Sequence, residues 1–276
     1  MLTVAPFNDI ALLVLLLSLA GGVTGFLAGL LGVGGGAILV PVLYELFTAL
    51  NVDEAVRMHM VLGTSLAVIV PTTLRSFANH NAKGAVDTAV LRRLAPYVAA
   101  GVVIGVIAAK GASHLALKWV WVVAGSFMAV KMAIGRDDWR LAARLPQSKG
   151  VEAVSVLIGI LSALMSIGGG MFIVTLLTLF GVPILSAVAT SSGFGPVISI
   201  PGVIGFAFAG LGVNGRPPYS LGYVNVLAAA LIIPASMIAV PYGVRIAHAI
   251  PKRKLEITFA VFLVCVVARF LWTLMA

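Results

Sequence analysis

Long apolar runs, separated by short clusters of charge, glycine or proline, recur along the whole chain. In the first half they fall at about Ile10 to Leu31, Ala37 to Leu50, Met60 to Ala78, Leu94 to Ala109 and Lys118 to Ile134. In the second half they fall at about Val151 to Ile167, Met171 to Leu185, Ala187 to Ala209, Leu221 to Val240 and Leu255 to Met275. A spanning helix uses about 20 apolar residues, so this pattern predicts a polytopic membrane protein with little chain left for a soluble domain. Two runs, Ala37 to Leu50 and Met171 to Leu185, reach only about 21 to 22 Å as helix. They either complete ten full spans or fold back as re-entrant segments.

The two sets of five are related by an internal repeat. Gly-Leu-Leu-Gly-Val-Gly-Gly-Gly, from Gly29 to Gly36, returns as Ala-Leu-Met-Ser-Ile-Gly-Gly-Gly, from Ala163 to Gly170. Gly63-Thr64-Ser65 in the third run is answered by Ala189-Thr190-Ser191 in the eighth. An odd number of crossings per repeat inserts the halves in opposite directions. The expected fold is therefore all-α and polytopic, with about ten hydrophobic helical segments in two inverted repeats of five and Gly-rich helix breaks. Residues 1–135 form the first transmembrane repeat, 136–150 a cytoplasmic basic linker and 151–276 the second, inverted repeat.

Composition sharpens this picture. Of 276 residues, 61% are hydrophobic and 10% charged, which excludes an ordinary soluble globule. The net charge of +9 does not call for nucleic acid, because membrane proteins gather Lys and Arg in cytoplasmic loops. The basic residues concentrate in three connections: Lys83, Arg92 and Arg93; Arg136, Arg140, Arg144 and Lys149; and Arg245, Lys252, Arg253 and Lys254. The positive-inside rule makes these loops cytoplasmic and puts both termini outside. The first basic residue is Arg57, so the N-terminal run lacks the basic flank of a cleaved signal and is expected to be a retained span. With a single cysteine, Cys265, neither an intrachain disulfide nor a multi-cysteine metal site is available.

Candidate chemistry centres on the glycines. In hydrocarbon, irregular backbone is tolerated only when buried in protein or lining a cavity. Gly34, Gly35 and Gly36, and again Gly168, Gly169 and Gly170, each precede a helical run, whose free N–H groups and positive dipole end favour an anion. Thr64, Ser65, Thr190, Ser191 and Ser192 supply hydroxyl donors, and Arg75 supplies positive charge on the cytoplasmic side. Pro71, Pro196 and Pro201 predict unwinding of the third and eighth helices. Glu45, the one carboxylate well inside an apolar run, is a candidate for a coupling proton. His59, His80, His114 and His248 sit at loop edges without paired metal-ligand spacing, so no metal is expected. Asp137 and Asp138 read as a solvated loop pair. Trp119, Trp121 and Trp272 lie near span ends, as an interfacial aromatic belt would place them. Replacing Gly35 and Gly169 by Leu is expected to block anion binding and leave folding largely intact.

The duplicated glycine motif, the Thr-Ser pair one segment later and the chain length resemble the TauE/SafE, or sulfite exporter, family of anion permeases. The resemblance covers nearly the whole chain. It implies a secondary transporter of sulfite, thiosulfate or an organosulfonate such as sulfoacetate in the bacterial cytoplasmic (inner) membrane. The family's glycine motifs fall on Gly34 to Gly36 and Gly168 to Gly170, and its Thr-Ser positions on Thr64, Ser65, Thr190 and Ser191. Met165 and Ser166 stand where the first copy has Leu31 and Gly32. An anion channel with the same helix-end site is the alternative function. The expected partners are a small anionic substrate and the lipid bilayer, with no nucleic acid, no cofactor and no enzymatic activity. The same reading allows a monomer or a homodimer.

Overall fold

The computed structural model describes residues 7–31, 36–134, 141–142, 144–247 and 252–275. Among them are ten helices: α1 Phe7–Leu31, α2 Gly36–Ala49, α3 Glu54–Asn81, α4 Thr88–Gly111, α5 His114–Ile134, α6 Lys149–Met165, α7 Gly170–Leu179, α8 Ile184–Ala209, α9 Val226–Ala247 and α10 Lys252–Met275. A two-stranded hairpin, β1 Ser220–Leu221 and β2 Val224–Asn225, precedes α9. Each apolar run in the sequence corresponds to one helix. The runs at Met171 and Leu221 are shortened by turns. Gly181, in the left-handed region at φ 78°, and Pro183 end one helix. Gly222, at φ 56°, forms the hairpin before the other.

Facing residues fix the helix directions. On α3 and α8, Leu66 meets Gly202, Thr73 meets Gly195 and Phe77 meets Gly193, so the two run antiparallel. The α5–α10 pair is antiparallel as well, with Val267 beside Gly125 and Arg253 bonded to the carbonyls of Met132 and Ala133. By contrast α4 runs parallel to α6, Gly101 against Val156 and Gly105 against Ile160. The α1–α9 pair is also parallel, with Gly21, Gly25 and Gly29 against Ile232, Ser236 and Val240. In these two parallel pairs a Cβ on the glycines would strike a backbone carbonyl, so small residues set the close approach, as is usual between membrane helices.

Length and direction together separate long helices from short ones. The five helices α3, α4, α5, α8 and α9 are long and apolar enough to span. α10, with 24 residues, lies antiparallel along α5. At about 1.5 Å per residue, α2 and α7 are only about 21 and 15 Å long, about two thirds and half of the hydrocarbon thickness. Both start in the middle: Gly36 packs on Ile69 of α3, and Gly169 on Ile198 of α8. α2 then leads to the start of α3, the end from which α1 enters, and α7 leads to the start of α8, the end from which α6 enters. Thus α1–α2 and α6–α7 are re-entrant helical hairpins that come in from opposite ends and meet near the α3–α8 crossing. The short runs are half-spans.

The connections α3–α4, α5–α6 and α9–α10 all lie at one end, which carries Lys83, Arg92, Arg93, Arg144, Lys149, Arg245 and Arg253. Arg93 ties this end together by donating to the carbonyl of Pro146 at 2.8 Å. Around the bundle, large apolar side chains such as Ile107, Val123, Phe127, Phe208 and Ile238 point outward. Surface of this kind belongs in lipid.

Three expectations change. Pro71, Pro196 and Pro201 sit inside continuous helices, so α3 and α8 are not unwound. Membrane helices tolerate proline in their interior, and beside Pro71 the Thr72 and Thr73 hydroxyls bond back to the carbonyls of Val68 and Ile69. Trp121 is fully buried and packs edge-on against Phe270, 5.8 Å away, while Trp119 and Trp272 are exposed as a belt requires. His59 and His80 are buried at 4% and 3% exposure, although the sequence puts them at loop edges. Arg136, Asp137, Asp138, Arg140 and His248 lie outside the described residues.

Candidate anion site at the meeting of two re-entrant hairpins

The α6–α7 hairpin turns through Ser166 to Gly169. Ser166 ends α6 in the left-handed conformation at φ 51°, and its amide bonds back to Ala163 and Ser162. Gly169 is the N-cap of α7, also left-handed at φ 70° and without a side-chain cap. The first helical bond of α7 runs from Ile173 N to Gly169 O at 2.9 Å. The amides of Gly170, Met171 and Phe172 therefore lack intrahelical acceptors, and the positive end of the α7 dipole opens at mid-depth. Gly168, Gly169 and Gly170 are all buried.

The start of α2 meets this turn directly. A Cβ on Gly36 would collide with the carbonyl oxygen of Ser166. Ser166 in turn donates its hydroxyl to Leu62 O at 2.9 Å, which fastens the tip to α3. Gly36 is thus at the junction, whereas Gly34 and Gly35 lie outside the described residues.

Buried hydroxyls surround this junction. Ser162 Oγ is fully buried, lies 3.4 Å from where a Cβ on Gly169 would sit, and has no hydrogen-bond partner among the described residues. Ser65 and Ser199 are likewise buried and unpartnered among those residues. Leu62, Ser65 and Ile69, at helical spacings of three and four, share the face of α3 that meets the α6–α7 turn and the start of α2. Buried hydroxyls normally find a partner, so such a cluster beside free helix-end amides is the arrangement a bound polar group would complete. Ser162 was not legible as a site residue. Its only signal is its place one turn before Ser166, where a helix approaching the glycine break ends.

Other candidates are already engaged or stand apart from this junction. Thr64 Oγ1 accepts from Asn225 N and Thr190 Oγ1 accepts from Asp87 N, both at 2.9 Å. Ser191 donates to Val188 O at 2.8 Å and Ser192 to Ala189 O at 2.6 Å. Arg75 is exposed on α3 and stands apart from the buried cluster. Glu45 forms a bidentate pair with Arg269 at 2.8 and 3.0 Å, half-exposed and near the far end of α2. Lys131 donates to Thr175 at 3.0 Å. Among the described residues no cluster of His, Cys, Asp and Glu is suited to a metal ion.

The Gly169→Leu test needs correction. A side chain at φ 70° is strained, and its Cβ would also strike the Ile198 methyl, so folding would not be left intact. Serine substitutions probe the site with less disturbance.

Long apolar helices and an outward-facing apolar surface define an all-α, multi-pass membrane protein. The sulfite exporter TauE/SafE family pattern matches residues 17–270, and the chain belongs to that family. It is 34% identical over 256 residues to a probable membrane transporter protein of Haemophilus influenzae, covering 92% of this chain and 96% of the relative. It is 27% identical over 255 residues to a probable membrane transporter protein of Methanocaldococcus jannaschii, covering 90% and 92%. No solved structure matches the chain.

Proposed function

We propose that this protein is a secondary transporter that carries a small sulfur-containing anion, such as sulfite, thiosulfate or sulfoacetate, across the bacterial cytoplasmic membrane by alternating access. The observation that carries this reading is the open start of α7 beside the fully buried Ser162 hydroxyl, which has no partner among the described residues, where the start of α2 meets the α6–α7 turn. Backbone amides and neutral hydroxyls there satisfy an oxyanion without fixed charge. Ser65 of α3 and Ser191 of α8 stand at matched positions in the two halves. We read residues 1–135 and 151–276 as inverted repeats joined by a cytoplasmic linker, with the basic end inside.

The test is thermal unfolding of the purified protein with sulfite, thiosulfate, sulfoacetate, taurine, sulfate and chloride. A ligand at 100 times its Kd stabilises the native state by about 2.7 kcal/mol. One sulfur anion is expected to raise the Tm saturably, and Ser162→Ala to weaken its binding by roughly 5- to 10-fold, about one hydrogen bond. A wild-type protein that responds to no sulfur anion more than to chloride would overturn the assignment.

A further inference from the structure

We propose that Thr64 and Thr190 are the latches of two gates, one at each end of the α3–α8 pair, that open in alternation. This rests on the transporter reading and gives its alternating access a named structural basis.

The two threonines make the same bond in exchanged roles. Thr64, on α3, accepts the amide of Asn225, whose Oδ1 caps α9 by accepting from Ala228 N at 2.8 Å. Thr190, on α8, accepts the amide of Asp87, whose Oδ1 caps α4 by accepting from Ala89 N and Val90 N at 3.0 Å. Both threonines are fully buried. The segments they hold are also matched: Gly84-Ala85-Val86-Asp87 and Gly222-Tyr223-Val224-Asn225 each put a left-handed glycine three residues before the cap. Helix N-caps ordinarily leave their own amide to a neighbour, and here the same neighbour is chosen twice.

The positions suit gates. Thr190 lies about one turn beyond the Phe77–Gly193 contact, so the latches stand roughly 25 Å apart along α3, on either side of the crossing. Each holds the start of a helix that packs against one re-entrant hairpin: α9 lies along α1, and α4 along α6. Releasing Asn225 frees the α1–α9 pair at one end, and releasing Asp87 frees the α4–α6 pair at the other. Rotation of one threonine side chain breaks each latch. A single neutral hydrogen bond biases such an equilibrium without locking it.

The test is hydrogen–deuterium exchange of the full chain in lipid nanodiscs, with anion binding measured on the same samples. Thr64→Val, nearly isosteric but lacking the acceptor oxygen, is expected to speed exchange in residues 222–228 by about 5- to 10-fold, the equivalent of one hydrogen bond. Exchange in residues 84–91 is expected to slow. Thr190→Val should give the mirror result, and Thr→Ser at either position should restore the wild-type pattern. If a Val variant does not fold, Thr→Ala replaces it. Unchanged exchange at the released end, or faster exchange at both ends together, would overturn the latch, because general loosening has no reciprocal side. A reciprocal pattern in a protein that binds no sulfur anion keeps the latch and removes the substrate reading. Anion binding without reciprocity does the reverse.

Discussion

The segments docked by Thr64 and Thr190 share a bond length, a capping role and a glycine three residues upstream, yet their surroundings differ. Tyr223, Val224 and Asn225 are buried at 6%, 5% and 7% exposure, whereas Asp87 and Gly84 are exposed. The hairpin is held by backbone against backbone: a Cβ on Gly63 would strike Tyr223 O, and one on Gly210 would strike Tyr223 N. Tyr223 N also donates to Phe206 O at 3.1 Å, and its ring stacks on His59 at 4.8 Å. Burial raises the pKa of the Tyr223 phenol above its ordinary value. The α4 loop has instead Thr190 and a long 3.4 Å bond from Ser186 Oγ to Ala85 O. The duplicated hydrogen bond keeps the hinge chemistry at both ends, while loop packing decides how tightly each is shut. In this structure the hairpin end is the better sealed.

The two left-handed glycines give the widest separation of the ends. Gly222→Ala adds strain at φ 56° and drives a methyl into the Ala207 carbonyl. The loss of stability is expected to be roughly 2–5 kcal/mol, strain and overpacking together. Gly84→Ala meets nothing within 4 Å at φ 64° and is left with the strain alone, about 1–2 kcal/mol. Denaturation midpoints of both variants in one detergent compare them, and equal losses would mean that the hairpin is no better packed than the loop.

The caps should differ less. Asn225→Ala removes the bond to Ala228 N together with those from Nδ2 to Pro218 O and Ser220 Oγ, an expected loss of about 2 kcal/mol. Asp87→Ala removes two exposed cap bonds and is expected to cost about 1 kcal/mol. The same melts read both, and a larger loss at Asp87 would reverse the ranking of the ends.

Much of this architecture is written in the sequence, but unevenly. Hydrophobic period and length gave the ten helices, and the glycine triplets marked the hairpin tip at Ser166 to Gly169, because both signals are local. Helix direction was not local. That α2 and α7 are half-spans depends on Gly36 meeting Ser166 across the bundle. The Glu45–Arg269 pair joins residues 224 positions apart, so either one alone reads as a lone charge. His59 is buried because Ala109 O and the Tyr223 ring close over it, partners that sequence spacing does not assign. The matched Gly-x-Val-Asp and Gly-x-Val-Asn segments were legible in principle, yet four residues of loop stand out only once Thr64 and Thr190 are seen to hold them. Ser162 hides for a different reason: serine in a membrane helix usually bonds its own preceding turn, as Ser155 does to Val151 O.

Ser186→Ala makes the smallest and most discriminating change. Its hydroxyl reaches Ala85 O at 3.4 Å, the long limit for a hydrogen bond, from a half-buried site where water can replace it. Removing it is expected to cost less than about 0.5 kcal/mol. If Thr190 is the principal tie of the α4 loop, exchange in residues 84–91 will barely change in Ser186→Ala and will rise several-fold in Thr190→Val. A loop loosened equally by both substitutions would distribute the closure over the whole Ser186–Thr190 turn of α8. The likeness between the ends would then be one of loop packing, and the duplicated threonine would lose its special place.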